Sequence, residues 1–264
     1  MSSKARVLYI PHGGGPMPLL GDPGHAGLIQ FLRDISRRVG QPEAILVISA
    51  HWEMPVPCIL GAAAPPMLYD YGGFPPETYQ ISYPAPGDPV FAENIRTLLA
   101  DQGMHAMIDP QRGYDHGAFV PLMLMYPDAD IPCLQISLLN NLDGTAHIAL
   151  GQALAPLLEK NVLVLGSGMS FHNLRAFFVP GMVEVGDNMA FESWLQETCT
   201  ADISESERAQ RLADWHLAPG GRLCHPRPEH LLPLHVCYGM AGKAGEVVFS
   251  GDVMGRNVTG VFWG

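Results

Sequence analysis

Short apolar, β-rich runs recur along this chain at residues 7–10, 44–50, 57–60, 131–138, 162–165, 247–250 and 258–263. Segments with apolar residues at helical spacing lie between them, at 28–39, 90–102, 146–160, 188–198, 204–214 and 229–241. The run AILVISA is apolar almost without interruption, as a strand covered on both faces must be. Strands alternating with helices predict an α/β fold: a central sheet with helices on both faces. The last two runs are close enough in sequence to pair antiparallel, so the sheet is expected to be mixed and mostly parallel. One domain is expected to span residues 1–264.

The stretch 62–89 breaks this rhythm. It is dense in Pro, Gly and aromatic residues, which predicts a long ordered loop whose aromatics seek burial. Loops of this kind in compact domains are frequently functional. Farther on, Ser204 opens the polar segment SESERA and reads as a helix N-cap.

Composition narrows the possibilities. The 264 residues are 47% hydrophobic and only 16% charged, which suits a packed core and excludes a disordered chain. The net charge of −11 argues against nucleic-acid and anionic-membrane partners. The five cysteines form no CxxC pair, as expected of reduced structural thiols in the cytoplasm. The apolar run at 7–10 is too short for a secretory signal core, and no stretch is long enough to span a bilayer.

The candidate chemistry lies in the histidines. His12 (YIPHGGGP) and His51 (ILVISAHWE) end apolar runs, His172 (VLVLGSGMSFHN) follows one, and His230 lies in RPEHLLPLH. In open α/β sheets the ligand crevice lies outside the carboxyl ends of the strands. Imidazoles delivered to that edge can meet around one metal ion, and imidazole with carboxylate suits Fe(II), Zn(II) or Mn(II). The run Gly13–Gly15 after His12 reads as a tight turn where backbone approaches a ligand, and Gly166-Ser167-Gly168 as a sharp exit from the sheet. His116, beside Asp115 in GYDHGAF, reads either as an oriented acid–base group or as a residue at a helix start. Pro228 suits the first turn of the helix that carries His230, and Glu229 is an alternative ligand to it. His25, His105, His147, His216 and His225 lack a supporting pattern, and His235, five residues after His230, reads as structural or as a support behind the site.

The motifs PHGGGP, SAHWE, DYGGFPPETYQISYPAPGDP, GYDHGAFVPLMLMYPDADIPCLQISL, GSGMSFHNLR and PEHLLPL occur in this order. Together they resemble the class III extradiol ring-cleavage dioxygenase superfamily, and within it the 4,5-DOPA dioxygenase branch, over about residues 7–235. The resemblance implies that His12, His51 and His230 hold the metal. It makes His172 the acid–base residue, near enough to count as a fourth metal neighbour, and puts His116 on the substrate hydroxyl or the bound oxygen. It also implies Fe(II) for activity, with Zn(II) in some members, and a small aromatic diol and O2 as partners. Two features depart from the family pattern. The third ligand position reads His rather than the Glu of the protocatechuate-type branch, and the first motif reads HGGGP where many relatives have HGSP, which bears on the pocket near Gly14.

The implied activity is opening of a catechol ring, DOPA-like or related, to a semialdehyde. Gly14, Asp115 and Phe74 are the candidate substrate contacts, with Tyr71 and Tyr83 from the aromatic loop and Arg175 as a cation for a substrate carboxylate. Two alternatives accompany this reading: a zinc hydrolase using the same histidines to activate water, and a non-catalytic binding member of the superfamily. Retention of both His172 and His116 favours catalysis.

Overall fold

The alternation of strand and helix builds one eight-stranded mixed sheet in a computed structural model that describes residues 6–179 and 181–264. The strands are β1 (Arg6–Pro11), β2 (Ala44–Met54), β3 (Cys58–Leu60), β4 (Met107–Asp109), β5 (Cys133–Leu139), β6 (Val162–Gly168), β7 (Glu246–Val253) and β8 (Arg256–Trp263). Their spatial order is β4-β3-β5-β2-β6-β1-β8-β7. The central block β5-β2-β6-β1 is parallel throughout, and the C-terminal pair β7 and β8 joins antiparallel as a hairpin beside β1. This is the mixed α/β sheet that the patterning predicts.

The helices are α1 (Ala26–Val39), α2 (Pro89–Asp101), α3 (His116–Met125), α4 (Gly144–Leu154), α5 (Leu174–Phe178), α6 (Val185–Thr200), α7 (Glu205–Ala213), α8 (Gly221–Cys224) and α9 (Leu232–Ala241). They cover both faces of the sheet, and side-chain alternation along β6 shows how. Ser167 meets the Gly117 carbonyl of α3. Its neighbours Gly166 and Gly168 point the other way, toward Cys237 and Pro233 of α9 and the His230 carbonyl. A Cβ at Gly168 would stand 2.0 Å from that carbonyl, so only glycine lets the 230 segment lie directly on the strand. Gly166-Ser167-Gly168 is therefore the end of a strand under close backbone approach, not a turn.

Three further features differ from the pattern reading. The spacing at 146–160 predicts one helix, but Pro156 opens a separate 3-10 turn, Ala155–Glu159, directly after α4. The helix expected from residue 229 begins at Leu232, with Pro233 in its first turn; Glu229 and His230 precede it. Helix α3 escaped the periodicity because nearly every residue of it is buried, so it has no polar face to reveal it. Ser204 caps α7 by accepting from the Glu207 N–H, as expected. The 62–89 segment is an ordered loop, with Tyr83 buried and Tyr69 and Tyr71 packed on the core. Among the described residues no helix is long and apolar enough to cross a membrane.

Candidate active site

The carboxyl ends of β1, β2 and β6 converge on one cavity of about 740 Å³. His12 follows β1 directly, and its own N–H donates to the Gly168 carbonyl at the end of β6. Gly13 and Gly15 have φ of 85° and 56°, so the chain turns sharply under the cavity as the triple glycine predicts. His51 sits where β2 loses register with β5, between Ile48 and Glu53. A bulge of this kind re-aims side chains at a strand end. The main chain at His172 is held by its N–H to the Cys224 carbonyl. His116 is the first residue of α3, whose N-cap is Asp115.

His12, His51, His116, His172 and His230 all line this cavity. Ring centroids lie 4.9 Å apart for His12–His51, 5.1 Å for His12–His230 and 4.8 Å for His51–His230. His116 is 4.0 Å from His51, and His172 stacks on His230 at 3.3 Å. Two sets of ligand atoms are spaced closely enough to hold an ion: His12, His51 and His116, and His172, Glu229 and His230.

Four of the rings place Nδ1 within hydrogen-bond distance of an acceptor, and His51 Nδ1 faces Asp70 at 3.7 Å; none of the five has Nε2 on a backbone or carboxylate partner among the described residues. His12 Nδ1 lies 3.0 Å from Ser167 Oγ. That hydroxyl donates to the Gly117 carbonyl, so it can only accept from His12. The Gly117 carbonyl is open because the residue four positions on is Pro121, which has no N–H to give it. A proline inside α3 thus fixes the tautomer of a histidine on a different element, with the proton on Nδ1 and the lone pair on Nε2.

Two carboxylates serve the other four rings. Asp70 Oδ1 accepts from His116 Nδ1 at 2.8 Å and from the His116 N–H at 3.0 Å, while its Oδ2 lies 3.7 Å from His51 Nδ1. Glu229 Oε1 lies 2.9 Å from His172 Nδ1 and 3.0 Å from His230 Nδ1. Neither Asp70 nor Ser167 stands out in the sequence as a site residue. The only signal for Asp70 was its place in the aromatic loop.

The electrostatics follow from burial. Desolvation holds His12 and His230 well below the ordinary imidazole value, and the neighbouring rings add to it. Burial likewise lowers His51 to about 4. Burial alone would raise Asp70, but the hydrogen bond and charge of His116, with His51, outweigh it and leave it at about 2. Glu229 is also held below its usual value: burial pushes it up, and the His172 contact more than offsets this.

The other expected residues divide. Gly14, Phe74 and Tyr71 line the cavity. Asp115 does not; it is buried beneath and accepts from Ser49 Oγ at 2.7 Å, Gln135 Nε2 at 2.8 Å and Arg112 at 2.9 Å. Tyr83 points away to the Tyr126 carbonyl. Arg175 is absent from the wall, and Arg227 is there instead. His25 is buried at the back, where its Nε2 accepts from the Gly14 N–H and pins the glycine turn.

Residues 7–261 match the family model described as the catalytic LigB subunit of aromatic ring-opening dioxygenase. The chain belongs to that family. It is 45% identical over 245 residues to a "4,5-DOPA dioxygenase extradiol" of Beta vulgaris, covering 90% of this chain and 87% of that one. It is 39% identical over 280 residues to "Dioxygenase tasH" of Hapsidospora irregularis, covering 98% and 86%. The crystal structure of an uncharacterized protein from Escherichia coli K12 superposes with a TM-score of 0.78 at 28% identity, covering 98% of this chain and 99% of that one. Membership makes this a dioxygenase-type oxidoreductase, with a His/Glu cluster able to hold the metal on which such enzymes depend.

Proposed function

We propose that this protein is a non-haem extradiol dioxygenase that opens the ring of a catechol, DOPA-like or related, with O2 to give a semialdehyde. The observation that carries this reading is the convergence of five histidine rings on one cavity, four of them hydrogen-bonded through Nδ1 and the fifth facing Asp70 at 3.7 Å.

The residues present fit a divalent ion. His12 Nε2 and His51 Nε2 face each other at 3.1 Å. With His12 holding its proton on Nδ1, only a shared His51 proton or a cation relieves the repulsion between them. Three neutral, desolvated imidazoles are good ligands, and the retained acceptors at Nδ1 strengthen them. His12, His51 and His230, whose ring centroids form a triangle of 4.8 to 5.1 Å, would hold Fe(II), with Zn(II) as a competing occupant. The closer His12–His51–His116 set has its third ring anchored twice to Asp70. Glu229 is better read as the base behind two rings than as a ligand, since its Oε1 meets both Nδ1 atoms. When bound, Fe(II) would lower the catechol hydroxyl pKa and bring O2 beside the ring.

The chain's own residues do the rest. His172 Nε2 would take the second phenolic proton and return it later, its Nδ1 steadied by the Glu229 carboxylate. His116, anchored twice by Asp70, would hydrogen-bond the substrate oxygen. Gly14 and Phe74 would contact the ring, while Asp115 would act from beneath by fixing the start of α3. The five cysteines are free and buried, which supports a reducing, cytoplasmic setting.

The test is to load apo-protein with Fe(II) without air, then add a panel of catechols and oxygen. The expected result is oxygen uptake with a visible-absorbing, ring-opened product. Absence of both with every catechol, alongside ester cleavage by the Zn(II)-loaded protein, would replace this reading with a hydrolase.

A further inference from the structure

Much of the cavity wall beyond the histidines is apolar. Met17, Met169, Met254, Leu174 and Phe177 line it together with Phe74. Leu174 is 60% exposed, so the apolar character continues to the mouth. Among the lining residues there is one permanent cation, Arg227. Its guanidinium is already engaged: Nη1 and Nη2 donate to the two Glu53 oxygens at 2.6 and 2.5 Å. Glu229 Oε2 stands 3.3 Å from Nη1. One cation between two carboxylates leaves this part of the wall net negative.

We infer that the catechol taken by this site carries an apolar ring substituent without a carboxylate, and that Glu53 sets the preference by occupying Arg227. The inference rests on the catechol reading above and narrows it away from substrates with a carboxylate side arm. A substrate carboxylate entering here has two options. It displaces Glu53 from a bidentate guanidinium pair, among the stronger charge-assisted contacts, or it lies unpaired against methionine and aromatic side chains at a desolvation cost. An alkyl arm meets neither penalty and gains apolar burial along the same wall. Because the Arg227 side chain is half exposed, solvent screens the pair and the discrimination is modest rather than absolute.

The probes are 4-propylcatechol and 3-(3,4-dihydroxyphenyl)propanoate, which differ in a terminal methyl against a carboxylate. Dissociation constants measured without oxygen on Zn(II)-loaded protein, and kcat/KM on Fe(II)-loaded protein, give two independent readings. The propyl compound is expected to bind about tenfold more tightly. Glu53→Gln frees Arg227 and should shrink that ratio several-fold by improving the propanoate alone. Adding Arg227→Gln to Glu53→Gln should abolish the improvement. Tighter binding of the propanoate to the unmutated protein, or an unchanged ratio in Glu53→Gln, overturns the inference. Binding without ring opening by the Fe(II) form would overturn the dioxygenase reading, and the binding ratio would still decide the specificity one.

Discussion

Six of the histidines fall into two groups that differ in one respect. His25, His147 and His235 have both ring nitrogens facing protein partners: Asp22 and the Gly14 N–H, the Asp143 carbonyl and the Leu139 N–H, and the Leu231 and Leu212 carbonyls. In His12 and His230 the Nδ1 is hydrogen-bonded, in His51 it faces Asp70 at 3.7 Å, and the Nε2 atoms of His12 and His51 meet only each other. Burial lowers His147 as it lowers His51, both to about 4. Depressed basicity therefore does not mark a ligand. An uncommitted nitrogen beside other uncommitted nitrogens does, because only there does a cation complete what the fold leaves open.

The largest effects should separate the groups outright. His51→Ala is expected to weaken metal binding by more than about a hundredfold, read by chelator competition. His147→Ala should keep full metal stoichiometry but lose about 1–3 kcal/mol in urea unfolding, since the Leu139 N–H loses its acceptor. Equal metal loss in both variants would erase the distinction. His172→Ala should retain metal and lose turnover by roughly 10²- to 10⁴-fold; metal loss matching His51→Ala would put His172 among the ligands.

Smaller effects should follow from the groups behind the rings. Ser167→Ala removes the acceptor that fixes the His12 tautomer. Asp70→Asn removes the charge facing His51 and His116. Each is expected to cost about 10- to 100-fold in metal affinity with the fold intact. Unchanged affinity in both would make those contacts merely structural.

Rings from both groups, together with His225, share a pH response. For His12, His51, His147, His225, His230 and His235 the folded state disfavours protonation, chiefly through burial. Their stabilising contribution is complete above the unfolded value near 6.5 and is lost as pH falls toward the lowered folded values. Each ring contributes a slope of up to about 1.4 kcal/mol per pH unit. Glu192 opposes this. Burial raises it to about 8, against hydrogen bonds from Thr259 and Ser170, so its contribution grows as pH falls from 8 to 4.5. Six groups outweigh one. Apo-protein melting temperature should therefore drop between pH 6.5 and 4.5, and a rise would break the account. The smallest effect is Glu192→Gln, which should remove the opposing contribution and leave a steeper acid-side loss.

The sequence pattern made most of the fold legible because buried parallel strands are written as continuous apolar runs. All seven such runs became strands. The eighth, β4, is three residues long and pairs only with β3 at the sheet edge, too short to carry a pattern. Helix α3 was invisible for the opposite reason, being apolar on every side. The histidines stood out because a polar ring at the end of an apolar strand is conspicuous. Their partners did not: Asp70 is one acid in a long loop, and Arg227 is one cation before a proline.

What the sequence determined by itself was the order of layers, the strand ends and the residue types that reach them. Those follow from local patterning and the obligatory pairing of buried backbone. Only the tertiary structure decided which ring nitrogen is free. That choice depends on a serine from β6, a carbonyl from α3 released by Pro121, and carboxylates at Asp70 and Glu229, groups up to 159 residues apart in numbering (70 to 229). No local spacing encodes such contacts, because they arise when packing brings distant acceptors to the back of the same five rings.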